Sequence, residues 1–433
     1  MAKYNIPEYR VTVDQLVPGV FVRLDSHWFN HPFLFNKFKI KNAEQIQSLR
    51  EVGITEVICV PEKSDQLPKS ADEVKPRVAA AAEPEAKTGK PDPYTEELWR
   101  IKREQIKRLK EKKESIARCE ASYKLAMDAV PGLMSGLLSG KAEAVKQADA
   151  LATELVEAFR PDVAAVMHLM DIKATDDGIY YHSLNVSVLS LMLGKQLGLT
   201  PEEMKSLALG SLLHDIGKSR IEKKILRKPP PLTKAEQTLL QLHPKYGVDI
   251  LLKAGGFDED VLRLVFEHHE RLHGKGYPRG LAGDKIFKLA RIVIIPDVYD
   301  NLVNDPDQSR AMTPYQALAV MYGKLKPWLD ENYFSAFIRS LGIYPPGTVI
   351  QLSNNVIALV ISVNPKNPLR PSVLLYDPEI PRDDSVIFDL EDAPELAVVK
   401  SLHPRQLPRE IFNYLNPRTR VAYFMDSPEA AGS

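Results

Sequence analysis

The spacing of apolar positions changes period along the chain, and the changes divide it. Gly19-Val-Phe-Val-Arg-Leu24, Phe33-Leu-Phe-Asn-Lys-Phe-Lys-Ile40 and Thr55-Glu-Val-Ile-Cys-Val60 are rich in β-formers and predict strands. Between the second and third, Asn42 can cap a short helix that runs through Leu49 and ends near Gly53. Residues 1–62 thus predict a small α+β unit. The pattern then fails. Residues 63–93 carry Pro, a run of Ala and many charges, with almost no large apolar side chains. Such a segment buries too little surface to offset its ordering entropy, and predicts a linker.

A helical period follows. Asp92-Pro93 places an N-cap before a proline at the first helical position, and Glu96 and Glu97 suit the positive end of the helix. This charged helix, expected over 94–120, has only Leu98, Ile101, Ile106, Leu109 and Ile116 as an apolar stripe. The stripe fits a solvated connector, and it also fits a coiled-coil stalk for a homodimer or for signal relay. From 121 to 344 the helical period dominates. Thr200-Pro-Glu-Glu203 and Thr233-Lys-Ala-Glu236 are capping boxes, and Thr313-Pro314 opens a further helix. One all-α domain of antiparallel helices is expected.

After Pro345 the period returns to that of strands, at 348–352, 356–363 and 372–376. A small β module over 345–425 is expected, closing with a helix-like segment at Pro408–Leu415 and followed by a tail at 426–433. The predicted fold class is therefore multi-domain and mainly α. A central helical domain is flanked by a small N-terminal α+β unit and a small C-terminal β module.

Composition narrows the possible functions. The 433 residues suffice for two or three domains with real cores. Lys+Arg and Asp+Glu each number 57, so there is no basic excess to bind a nucleic acid polymer over a broad surface. The two cysteines, Cys59 and Cys119, form neither a disulfide framework nor a thiolate metal site. The start, MAKYNIPEYR, has no apolar signal region and no run approaches a membrane span, so the cytoplasm is the expected compartment.

Histidine distribution changes the picture most. Seven of the ten histidines fall between His168 and His273. Within the helical domain five stretches offer metal ligands. They are Tyr180-Tyr-His182-Ser, His214-Asp215, His243-Pro-Lys-Tyr-Gly, Glu267-His268-His269-Glu270 and Asp297-Val-Tyr-Asp300. His243 is expected near the end of the helix capped by Thr233. Asp297 follows an apolar run, and ionised aspartates on buried helices are costly unless paired or metal-bound. Imidazole and carboxylate without thiolate suit Fe, Mn, Zn, Ni or Co. A carboxylate has two oxygens, so it can bridge two ions, and such centres activate water for phosphoryl chemistry. Lys218 can set a positive charge on a phosphate oxygen, or neutralise a helix end. In His273-Gly-Lys-Gly-Tyr-Pro278, Gly274 and Gly276 permit a tight turn or close approach to a ligand, and Tyr277 can stack on a base. His27, Trp28 and His31 fit a packed turn better than a ligand set.

His214-Asp215-Ile-Gly-Lys218, followed by His268-His-Glu270, Gly276-Tyr-Pro278 and Asp297-Val-Tyr-Asp300, closely resembles the HD-GYP family of bacterial signalling phosphodiesterases. The resemblance covers roughly Tyr180 to Asp300. It implies hydrolysis of cyclic di-GMP to pGpG and onward to GMP at a centre of two or three divalent ions, commonly iron or manganese. It also implies His182, His214, Asp215, His243, His268, His269 and Asp297 as ligands, with Asp215 bridging. Lys218 would contact the scissile phosphate, and Gly276 and Tyr277 would line the substrate pocket. Asp300 would lie near the attacking water. The Gly-Tyr-Pro loop would contact diguanylate cyclase domains. Two departures matter. Family members with a third metal carry a Glu where Gly178 stands, so two ions are expected, with Asp176 or Asp177 as the only nearby stand-ins. An acidic residue is usual where His273 stands. Beyond Asp300 the family's basic segment is matched only loosely, and Arg310 is the residue expected to bind phosphate. Two other readings use the same site: a cyclic di-GMP sensor with little turnover, and a phosphohydrolase for another cyclic dinucleotide.

Overall fold

The computed structural model describes residues 7–26, 30–33, 35–70, 73, 92–158, 178–228, 231–305, 307, 309–364, 367–378, 380 and 387–415. Most of the expected linker lies outside the described residues, as do His27, Trp28, His168, Asp176, Asp177 and the 426–433 tail. The chain divides into two units, Met1–Lys112 and Lys113–Ser433.

The first unit holds β1 (Tyr9–Thr12), β2 (Phe21–Arg23), β3 (Lys37–Lys39), α1 (Ala43–Glu51) and β4 (Glu56–Cys59). The strands form one antiparallel sheet in the order β1-β4-β2-β3. Val11, Val20, Val22, Leu24, Ile46, Leu49 and Val57 pack on its inner face. Asn42 caps α1 as its side-chain type requires, accepting from Gln45 N at 3.0 Å. β1 has no signature in the sequence. It pairs with β4 from Tyr9–Cys59 to Thr12–Glu56, a partnership that only the fold supplies. The strand expected over 33–40 shortens to Lys37–Lys39 because the segment before it is held by side chains. Buried Lys102 donates to the carbonyls of His31 and Phe33, and His31 Nε2 pairs with Asn36 Oδ1 at 2.9 Å.

The charged helix, α2, runs from Pro93 to Leu138 without a break at 120. Val130, Leu133, Met134 and Leu137 near its end belong to the core of the second unit. That unit continues with α3 (Ala142–Ala158), α4 (Gly178–Gln196), α5 (Pro201–Leu213), a 3₁₀ turn at Ile216–Arg220, α6 (Lys223–Leu226), α7 (Lys234–Leu240), α8 (His243–Ala254), α9 (Glu259–Glu267) and α10 (Lys288–Val303). α11 (Pro314–Val320), a π-turn at Met321–Leu325 and α12 (Glu331–Leu341) complete the helical part. α4 is buried almost all round, as its unbroken apolar and small-hydroxyl sequence demands. It packs against α5, α10 and α12, while α5 also meets α9 and α8 meets both α9 and the 3₁₀ turn. The capping boxes at Thr200 and Thr233 form as read, and Thr313 makes a third with Gln316.

One helix boundary differs in a way that matters for the site. His243 does not end the helix capped by Thr233. That helix stops at Leu240, and His243 opens α8 with Pro244 behind it. Proline lacks the amide hydrogen that a continuing helix needs, and tolerates only a first turn.

The C-terminal strands β5 (Val349–Leu352), β6 (Ile357–Ser362), β7 (Ser372–Leu375), β8 (Ile387–Asp389) and β9 (Val398–Leu402) form an antiparallel sheet in the order β8-β7-β6-β5-β9. α13 (Arg409–Leu415) follows. The sequence reading anticipated β5 to β7 and α13, but not β8, a three-residue strand, or β9, whose Val399 and Lys400 are exposed.

Candidate metal centre

Five elements deliver the centre. α4 carries His182, the end of α5 carries His214 and Asp215, α8 begins with His243, α9 ends at His268-His269, and α10 carries Asp297. Glycine sets the closest approach. A Cβ on Gly217 would lie 2.0 Å from the His243 carbonyl oxygen and 2.5 Å from the Gly247 nitrogen. Only glycine lets the turn after Asp215 sit this close to the first turn of α8, and that seating brings His243 to Asp215.

The imidazoles converge on Asp215. Its Oδ1 lies 3.4 Å from His243 Nε2 and 3.8 Å from His268 Nε2. Its Oδ2 lies 3.4 Å from His214 Nε2 and 3.8 Å from His182 Nε2. Asp297 Oδ1 lies 3.2 Å from His182 Nε2, and its Oδ2 lies 4.0 Å from His269 Nδ1. Two groups of ligand atoms result, each compact enough for one ion. One is Asp215, His243, His268 and His269; the other is His182, His214 and Asp215. Asp215 belongs to both.

Proton positions decide what these contacts are. His214, His243 and His268 each set Nδ1 on the carbonyl three residues back, Ser211 at 2.6 Å, Leu240 at 2.7 Å and Val265 at 2.7 Å. A carbonyl only accepts, so each Nδ1 carries a hydrogen, and in the neutral ring Nε2 is then a bare lone pair. Burial, with opposing help from Asp215, brings the His243 imidazole down to about 4, and burial also holds His268 and His269 well below the usual histidine range. These rings are therefore neutral at pH 7. His243 Nε2 and His268 Nε2 face each other at 3.2 Å, and His214 Nε2 faces a carboxylate oxygen. Acceptor opposite acceptor in a buried site is repulsive unless a cation lies among them. His182 Nε2, His214 Nε2 and Asp215 Oδ1 are buried without a hydrogen-bond partner among the described residues. The donor set fits divalent metal, and imidazole with carboxylate is borderline in hardness.

His182 is oriented differently from the other rings. Burial opposes its charge, but the Asp297 and Asp300 carboxylates beside it outweigh burial and lift it to about 10. Its Nδ1 pairs with Asp300 Oδ2 at 2.7 Å. Asp300 Oδ1 also accepts from Asn185 and Asn304, both at 2.8 Å. The Asp300 carboxylate is thus committed to holding His182, rather than standing open to water or substrate as expected. Asn301 fixes Asp297 in the same manner, at 2.7 Å. None of these asparagines was singled out in the sequence, although Asn301 and Asn304 lie four positions after Asp297 and Asp300 on one helix.

Comparison with known proteins accords with this geometry. Residues 147–333 match an HD domain, 349–410 a KOW domain associated with HD domain, and 8–148 a domain of unknown function, DUF3391. The chain is 30% identical over 369 residues to cyclic di-GMP phosphodiesterase PA4108 of Pseudomonas aeruginosa, covering 85% of this chain and 84% of that protein. The chain belongs to the HD-GYP family of HD-domain phosphodiesterases. It is also 36% identical over 164 residues to 3'3'-cGAMP-specific phosphodiesterase 3 of Vibrio cholerae, covering 38% of this chain and 35% of that protein. Identity to cyclic di-GMP phosphodiesterase response regulator RpfG of Xanthomonas campestris is 33% over 169 residues, 39% of this chain and 45% of that protein. The chain spans less than half the length of these last two relatives.

The family's Gly-Tyr-Pro loop is built against the centre. A Cβ on Gly276 would lie 2.4 Å from Glu270 Cα and from Arg271 N, so the loop folds back onto the residues after His269. Tyr277 N donates to the His269 carbonyl at 3.2 Å, and the Tyr277 ring lies 4.7 Å from the His269 ring. Burial raises the Tyr277 hydroxyl, keeping it neutral. Glu267 and Glu270, which flank the His-His pair, serve the loop. Glu270 accepts from Arg279 N and Leu281 N, both at 2.8 Å, and Glu267 accepts from Phe287 N, Arg263 and Arg279. Burial would raise the Asp215 carboxyl, but Lys218, whose Nζ lies on Asp215 Oδ2, is the largest of the opposing influences that hold it well below its usual range. Arg310, expected to bind phosphate, is paired with Asp305 at 3.1 Å and Asp307 at 3.5 Å. His273 is exposed and accepts from Lys275 N.

Proposed function

We propose that this protein hydrolyses the phosphodiester bonds of cyclic di-GMP at a two-metal centre, giving pGpG and then GMP. The observation that carries the reading is the set of bare imidazole nitrogens converging on both oxygens of one carboxylate. Asp215 would bridge. His182, His214 and Asp297 would hold one ion, and His243, His268 and His269 the other. Bound ions supply a nucleophile at neutral pH and positive charge on the phosphoryl oxygens. The remaining steps belong to the chain. Lys218 would leave Asp215 Oδ2 and meet a non-bridging oxygen of the scissile phosphate, where charge develops. Asp300 would keep the Nδ1 hydrogen of His182 in place, so that Nε2 stays directed at the centre. Tyr277 would stack on a guanine while Gly276 holds the loop close. Family membership points to iron or manganese, and the donor set is equally compatible with Zn, Ni or Co. Homodimers, contact of the Gly-Tyr-Pro loop with diguanylate cyclase domains and a cytoplasmic location belong to the same reading. None of the described helices is long and apolar enough to cross a membrane.

The test loads purified protein with Mn or Fe(II) and follows cyclic di-GMP by chromatography, with metal measured on the same sample. Formation of pGpG is expected. Full metal occupancy without turnover would favour a sensor, and faster cleavage of 3'3'-cGAMP would reassign the substrate.

A further inference from the structure

The loop after the metal-ligating histidines carries a cation that the hydrolytic scheme leaves unused. Four arginines lie on or against this loop. Arg263 and Arg279 pair with Glu267, and Arg291 pairs with Asp284 and Asp330. Among the described residues Arg271 alone of the four has no carboxylate partner. Its guanidinium lies 5.3 Å from the centre of the Trp328 ring, and Nη1 donates to the Glu270 carbonyl at 3.1 Å. The side chain is half-buried.

Its position is fixed by the same contacts that shape the site. A Cβ on Gly276 would meet the Arg271 nitrogen at 2.4 Å, Leu272 N bonds the Trp328 carbonyl at 3.1 Å, and Tyr277 N bonds the His269 carbonyl. Arg271 and Tyr277 therefore leave the backbone on the loop segments next to His269. A guanidinium resting on an indole face keeps its N–H edge free, and that edge matches two oxygens of a phosphate.

A cyclic dinucleotide has two phosphodiester groups. Lys218, beside Asp215, is placed to serve the one that is cleaved. The other is a full negative charge entering a half-buried site and needs its own cation. Arg310 is engaged by Asp305 and Asp307. We infer that Arg271 binds the non-scissile phosphate of the cyclic dinucleotide, with Trp328 as its rest. This inference depends on the functional reading above.

The experiment compares wild type, Arg271→Lys and Arg271→Met as Mn-loaded full-length protein on two substrates, cyclic di-GMP and bis(p-nitrophenyl) phosphate, which has one phosphate. For Arg271→Met the KM for cyclic di-GMP is expected to rise about 10- to 100-fold, the size of one or two charge-assisted hydrogen bonds. Its kcat should change less than about 3-fold, and Arg271→Lys should recover part of the loss. Cleavage of the small diester should fall much less than that of the dinucleotide. Parallel losses on both substrates would make Arg271 a support for the loop and overturn the inference, as would an unchanged KM in Arg271→Met. Wild type that cleaves the small diester but not cyclic di-GMP would instead overturn the functional reading, and this inference with it.

Discussion

Histidines are buried in both units, and the two settings have opposite outcomes. In the first unit His31 pairs with Asn36, lies 5.9 Å from the Phe33 ring, and faces the charge of Lys102. Burial and that charge depress it to about 4, and a cation already occupies the neighbourhood. In the second unit the depressed imidazoles face a carboxylate, and their free nitrogens face one another. Burial and a lowered pKa are common to both. Convergence of lone pairs on a shared acid occurs only in the second, and that is what separates a ligand from a packed side chain.

The sharpest way to break the comparison is Asp215→Asn. It removes the charge that both ligand groups share, so metal content should fall to near zero and cyclic di-GMP turnover by about 10²–10³-fold or more, with helical circular dichroism retained. Retained metal would refute the bridging role. Lys102→Met, by contrast, should weaken the first unit and leave metal content unchanged.

Asp300→Asn should act on one half of the centre. His182 loses its carboxylate brace while the carbonyl-braced rings keep theirs. Metal affinity is expected to fall about 10- to 100-fold for one ion and to persist for the other. Isothermal titration resolves the two, and equal weakening of both would count against separate braces.

Gly217→Ala should destabilise the second unit by about 1–3 kcal/mol in chemical denaturation, because the added methyl meets the His243 carbonyl and the Gly247 nitrogen. Metal affinity should fall with it. A neutral result would mean the turn can shift without moving His243.

The smallest effect on the metal centre is expected from a pH dependence confined to the first unit. His31 is lowered from 6.5 to about 4, so between those values the unfolded chain binds the proton and the folded chain does not. Stability therefore rises from about pH 4 to 6.5 and is lost as pH falls, by at most about 3 kcal/mol. Lys102, lowered by burial from 10.5 to about 7, extends the rise over that higher window. Amide exchange in β1 to β4 against pH measures both. A flat profile would show that these groups are not buried in solution.

The sequence made the centre legible because its ligand types are chemically rare on buried helices. The same reading is silent on Glu267 and Glu270, which flank the His-His pair and accept backbone amides of the loop. It also placed Asp300 beside the chemistry, since a motif does not say which oxygens are taken. Asn185 and Asn304 went unread because amides carry no metal signal. Capping boxes located helix starts well. The break at Leu242, where Pro244 forces a new helix, shows that a proline can restart a helix as well as end one. β1, β8 and β9 are three to five residues long and owe their form to partners distant in sequence.

Anomalous diffraction from crystals of the Mn-loaded protein tests the central claim most directly. Two peaks about 3.5–4 Å apart are predicted, one on each oxygen of Asp215, with His182 and His214 beside one and His243, His268 and His269 beside the other. A single peak, or two peaks that do not share Asp215, would contradict it.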